Sequence, residues 1–136
     1  MKMIITDTEK FGILFYNLRV PTRKVRENLN RNGFNQLLFM TDESDVTNTV
    51  KGLDPQVIIV NHQSWNDSTT PILLQTLRKT HDIPVIIWSD DISEFVSQKV
   101  LSFKNTYTLR LSDGFSALTE VLQRIEMKIK NPALWV

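Results

Sequence analysis

Five short apolar runs punctuate the chain at nearly regular intervals: Gly12 to Tyr16, Gln36 to Met40, Val57 to Val60, Pro84 to Trp88, and Thr106 to Leu109. Each has the length of a strand and is rich in β-branched or aromatic residues. The third and fourth are apolar without alternation, as strands are when both faces of a parallel sheet are covered. Helical spacing fills the intervals. Thr22 to Arg31 sets Val25 and Leu29 four apart, with Pro21 at its start and Gly33 just beyond its end. Thr41-Asp42-Glu43-Ser44 can cap a second helix carrying Val46 and Val50, which Gly52 is expected to end. Ser68 or Thr69 opens a third, with Pro71 in its first turn and Ile72, Leu73, Leu74 and Leu77 inward. Ser93 caps a fourth containing Phe95, Val96, Val100 and Leu101, and Asp113 a fifth containing Leu118, Val121, Leu122, Ile125 and Ile129.

The order is therefore (βα)5, an α/β chain in which helical crossovers force parallel pairing and right-handed connections. The expected architecture is a flavodoxin-like three-layer sandwich with a five-stranded sheet of order 2-1-3-4-5. Its ligand crevice lies beyond the C-terminal ends of strands 1 and 3, where Asn17 and Asn61 fall. No internal repeat or low-complexity tract interrupts the pattern. Residues 1–136 read as one domain with its core over about 10–130, and the apolar tail Pro132 to Val136 is expected to pack on it.

Composition narrows the function. A chain of 136 residues, 41% of them apolar, buries one core. Sixteen basic against fifteen acidic residues leave a formal charge of +1, too little for a domain that neutralises phosphates, so nucleic acid is not an expected partner. The absence of cysteine excludes disulfides and thiolate metal sites. No segment approaches the ~20 apolar residues of a membrane helix, and Met1 to Lys10 lacks a signal-peptide core. A soluble cytoplasmic protein that neither spans nor binds membrane is the expectation.

With KFGILFYN at the start, Asn32-Gly33-Phe34 closing the first helix, Asp54-Pro55-Gln56 before VIIV, and Ile83-Pro84 leading into VIIWS, the sequence resembles the receiver domain of two-component response regulators. In that family an aspartate after strand 3 accepts a phosphoryl group, two acids after strand 1 help it bind Mg²⁺, a lysine after strand 5 grips the phosphate and a Ser or Thr after strand 4 closes on it. The resemblance places Asn61 at the acceptor, Tyr16 and Asn17 at the acidic pair, Arg110 at the lysine and Ser89 at the hydroxyl. An amide is a poor nucleophile, and a phenol with an amide is a poor ligand set for a hard cation. It therefore implies a pseudo-receiver with a degenerate phosphorylation site, no metal, no cofactor and no enzymatic activity. Such a domain would regulate through protein contact, with a protein partner or a second copy of itself. The family's partner surface, on the fourth helix, fifth strand and fifth helix, would here use Glu94, Gln98, Tyr107, Arg110 and Phe115.

Other readings compete for the same residues. A small-molecule sensor would use Asn17, Asn61 and Ser89, with Trp65 or Trp88 stacking a planar ligand, although packing is the commoner role of a tryptophan. An engineered Asp-to-Asn change at residue 61 would leave the loss of the acidic pair unexplained. A flavodoxin would need glycines that Asn17 to Thr22 lacks. His62 and His81 read as surface loop residues, and Asp90 and Asp91 as a loop start or helix cap beside Ser89. The cations Arg19, Arg23, Lys24, Arg26 and Arg31 on the first helix, and Arg124, Lys128 and Lys130 on the last, read as solvated faces.

Overall fold

The computed structural model of the chain describes residues 11–16, 18, 20–41, 43–61, 75, 77, 82–90 and 105–130, with the backbone alone for 43–47. The strands are β1 (Gly12–Tyr16), β2 (Gln36–Met40), β3 (Val57–Val60), β4 (Val85–Trp88) and β5 (Thr106–Leu109). They form one five-stranded sheet of order β2-β1-β3-β4-β5, and every pairing is parallel. This is the flavodoxin-like arrangement that the apolar runs predict, and β4 alone starts one residue later than its run, because Pro84 has no N–H to give a ladder.

Alternation along the strands divides the core into two layers. Ile13, Phe15, Val57, Ile59, Ile86 and Trp88 face a layer completed by Val25 and Leu29 of α1 (Thr22–Arg31) and by Leu118, Leu122 and Ile125 of the last helix (Gly114–Lys130). Leu14, Tyr16, Ile58, Val60, Val85 and Ile87 face the other layer, with Val50 of α2 (Glu43–Leu53) and Leu77. Gln75 and Leu77 are helical, consistent with the expected third helix. The expected fourth helix and the tail Pro132 to Val136 lie outside the described residues. No helix among the described residues is long and apolar enough to cross a membrane.

Helix ends follow backbone chemistry. At the end of α1, Gly33 takes φ 91°, and the Phe34 N–H donates to the Leu29 carbonyl at 2.9 Å while that of Gly33 donates to Asn30 at 3.1 Å. This is a Schellman motif, and Phe34 packs in the same core layer as Leu29. α2 departs from expectation. Gly52 lies inside its last turn, and the helix stops at Asp54, whose φ is 52° and whose N–H donates to the Val50 carbonyl at 2.9 Å. Aspartate is among the few residues that tolerate the left-handed region, and Pro55 prevents continuation. The last helix also outruns its core, since 17 residues span about 25 Å against roughly 15 Å for a strand of four or five. Ile129, in its final turn, is accordingly 45% exposed.

At Gly33 a Cβ would meet nothing within 4 Å, so only the backbone opposes a side chain there. Gly33→Ala is expected to lower stability by about 1 kcal/mol through its left-handed φ. In urea denaturation the midpoint should fall with an unchanged slope; an unaltered midpoint would contradict the Schellman assignment.

Candidate functional site

Parallel strands deliver their C-terminal residues to one edge of the sheet, and there the chain places Tyr16, Asn61, Ser89 and Arg110. The first three are buried and Arg110 is exposed. Asn61 is 3% exposed. Its backbone N–H donates to the Tyr16 carbonyl at 3.1 Å, and its side-chain Nδ2 donates to the Trp88 carbonyl at 2.7 Å. One residue thus joins the ends of β1, β3 and β4. Ser89 extends the chain of links, its N–H donating to the Leu109 carbonyl of β5 at 2.9 Å.

The amide orientation follows from its partner. A carbonyl oxygen only accepts, so the –NH₂ group must face Trp88. A carboxylate at position 61 would set oxygen against oxygen where the amide now donates. The residue that the family resemblance assigns to phosphoryl acceptance is therefore occupied as a structural donor.

The neighbouring side chains are equally unlike a cation site. The Tyr16 ring lies in the core layer with Leu14, Val50 and Val60. Among the described residues no three of His, Cys, Asp and Glu come together. The hard Mg²⁺ ion that a working receiver holds wants several carboxylate or carbonyl oxygens, and a buried phenol with a donor-oriented amide does not fit it. Asn17, assigned to the same pair, lies outside the described residues, as do His62, Trp65, His81, Asp91, Glu94 and Gln98.

Two side chains have roles that sequence reasoning did not assign. Asp90 accepts a hydrogen bond from the Ser112 N–H at 2.8 Å, tying the segment after β4 to the 3₁₀ turn Leu111–Asp113 after β5. That turn directly precedes the last helix, so Asp90 links the loop after β4 to the start of that helix; the expected fourth helix lies outside the described residues. Gln56, before β3, accepts from the Gly12 N–H through its side chain, while its backbone N–H donates to the Gly12 carbonyl at 2.9 Å. Gln56 is thus a counterpart of Asn61 at the opposite end of the sheet.

Trp88 belongs to the core. It is 1% exposed, and its ring meets that of Phe115 edge-on at 5.8 Å. Packing is its role, and it offers no face for a planar ligand. Its indole N–H is buried without a partner, as is the Thr119 hydroxyl. Tyr107 and Phe115, both half-buried, pack against the layer that contains Trp88.

Asn61→Asp tests the donor assignment. At neutral pH the variant should lose about 1–3 kcal/mol, the cost of a buried carbonyl without its donor. Burial against the Trp88 oxygen raises the folded-state pKa of the introduced carboxyl above its unfolded value. Protonation then restores an O–H donor, so the variant's stability is recovered at low pH and lost as pH rises through the folded pKa. Urea denaturation at about pH 4, near the unfolded aspartate value, and again at neutral pH should show the deficit against wild type widening. An equal deficit at both would rule out the hydrogen bond as its source.

No protein-family model and no curated relative matches the sequence. Solved structures do match the fold. A protein of Burkholderia pseudomallei described as pilus assembly-related superposes with a TM-score of 0.71 at 13% identity, over 89% of this chain and 92% of its own. A protein described as a two-component response regulator with a GGDEF domain superposes with a TM-score of 0.66 at 15% identity, over 93% of this chain. The chain spans about half of that protein's length, 51%. At these identities the similarity is one of fold, and the fold is receiver-like.

Proposed function

We propose that this chain is a receiver-like regulatory domain that acts in signal transduction by protein contact and is not controlled by aspartyl phosphorylation. The observation that carries the reading is the Asn61 side chain, buried and donating to the Trp88 carbonyl where a receiver needs a carboxylate nucleophile. Phosphoryl transfer depends on metal charge, a cationic donor and an aligned nucleophile. Only the cation, at Arg110, and the hydroxyl, at Ser89, are retained in the sequence. In this reading the domain has no enzymatic activity and needs no metal or cofactor. Its partner is a protein, in the cytoplasm, rather than nucleic acid or a membrane.

The proposed contact surface includes Tyr107, Phe115 and Arg110, with Glu94 and Gln98 from the expected fourth helix. The described contacts support it by connection: Asn61 holds the end of β4 at Trp88, and Trp88 packs on Phe115. A clamp of this kind would keep the surface in one state instead of toggling it. The small-molecule reading loses one wall, because Trp88 is in the core.

Incubation with Mg²⁺ and acetyl phosphate, or with beryllofluoride, should leave the intact mass unchanged and give no saturable heat in calorimetry. A stoichiometric adduct or tight Mg²⁺-dependent binding would overturn the proposal. For the surface, Tyr107→Ala should weaken binding of a protein partner isolated with the domain by at least about tenfold, the scale of a lost aromatic anchor. Unchanged affinity would exclude this face.

A further inference from the structure

We infer that the cleft between α1 and the last helix is a binding site for a small, neutral, polyhydroxylated molecule of about monosaccharide size. The site shares only Phe115 with the contact surface proposed above and does not rest on it. Both helices bury one stripe against the same core layer, Val25 and Leu29 from α1 and Leu118, Leu122 and Ile125 from the last helix. Beside those stripes polar residues of the two helices meet, and a cavity of about 330 Å³ opens between them. That volume falls at the small end of natural ligand clefts, roughly 300–1,000 Å³. Asn28 and Asn32 line it from α1, and Phe115, Thr119, Glu120 and Gln123 from the last helix.

The lining offers hydrogen-bonding groups that the fold leaves open. Asn28 Nδ2 donates to the Lys24 carbonyl at 2.9 Å and Asn32 Nδ2 to the Asn28 carbonyl at 2.8 Å. These bonds fix both amides on the helix and leave each Oδ1 as an acceptor for a ligand. Thr119 is 7% exposed, and its hydroxyl is buried without a partner. Such an atom is costly to leave bare, and a ligand hydroxyl, which both donates and accepts, would complete it. The charge balance selects an uncharged ligand. Glu120 Oε1 accepts from the Arg124 guanidinium at 3.2 Å, so the carboxylate on the lining is already compensated. No cation lines the cleft to hold an anion. Against a cation stand Arg124 and Lys24, which precedes Asn28 by one turn on the same stripe of α1. Phe115, half-buried, supplies an apolar wall for the C–H face of a ring. A sugar or a cyclitol combines these properties: hydroxyls for the amide oxygens and the threonine, a C–H face for the phenyl ring, and no charge.

Titration with D-glucose, D-mannose, D-galactose and myo-inositol, followed through backbone amide shifts in NMR, tests the site. At least one probe should give saturable shifts with a Kd of roughly 0.1–10 mM, the range open to a ligand of about a dozen heavy atoms. The shifts should centre on Asn28, Asn32 and the turns from Phe115 to Gln123. Thr119→Val keeps the side chain's shape and removes only the unpaired hydroxyl, so its circular dichroism spectrum should be unchanged and its Tm no lower. Its Kd should nevertheless rise at least about fivefold, the scale of one hydrogen bond. Asn32→Ala, at an exposed position, should weaken binding likewise. The absence of saturable shifts with all four probes into the tens of millimolar overturns the inference, as does binding that either variant leaves unchanged. Ethylammonium is the charged probe, and its binding in the cleft in preference to the polyols overturns the assignment of a neutral ligand. No partner protein enters this experiment, so its failure leaves the contact surface around Tyr107 standing, and failure of that surface leaves the cleft standing.

Discussion

A backbone carbonyl buried at the end of a strand must find a donor, and the last carbonyl of β4 finds it in a side chain. Trp88 is buried, as are the residues on either side of it, so water is not a ready substitute. Leaving such an oxygen bare costs about 1–3 kcal/mol. Asn61 meets the need because an amide, unlike a carboxylate, both donates and accepts. The same residue therefore cannot serve the strand end and act as an ionised acceptor for phosphate. Its identity matches the sheet's hydrogen-bonding requirement at this strand end.

The same device recurs at the other end of β3. Gln56 takes both backbone groups of Gly12, and Asn61 takes the carbonyls of Tyr16 and Trp88, so amide residues flank the central strand on both sides. Ser89 and Asp90 continue the stitching to β5 and the turn beyond it. Four strand ends are thereby fastened at the edge where a phosphate-responsive pocket would need freedom to rearrange. The buried indole N–H of Trp88, without a partner, is tolerated alongside the ring's contacts with Phe115 and the core. Dispersion and apolar burial over so large a side chain outweigh one unmade hydrogen bond.

What could be read from the residues alone depended on whether the signal was local. Strand positions were legible because Val57 to Val60 and Val85 to Trp88 are apolar on both faces, and the first helix because Pro21 and Gly33 mark its ends. The end of α2 was misplaced because Gly52 is a conspicuous stop signal, whereas the left-handed Asp54 that ends the helix carries no comparable mark. At the site, the position of Asn61 was legible from the strand before it. Its task was not, since its partner lies 27 residues away. Asp90 and Ser112 are 22 apart, and Gln56 and Gly12 are 44 apart. Such bonds leave no periodic trace in a sequence and become visible only once the sheet order is known.

A sheet with both faces covered and its C-terminal end stitched has few places left at which to engage another molecule. Its faces are occupied by helices, which leaves the two edges and the helix surfaces beside them. These edges differ in kind. β5 carries a tyrosine packed against the core and ends at an exposed arginine, suited to side-chain contacts that discriminate between partners. β2 is apolar in sequence, with the Arg26 guanidinium of α1 lying 5.1 Å over its Phe39 ring. Neither edge requires a phosphate to form.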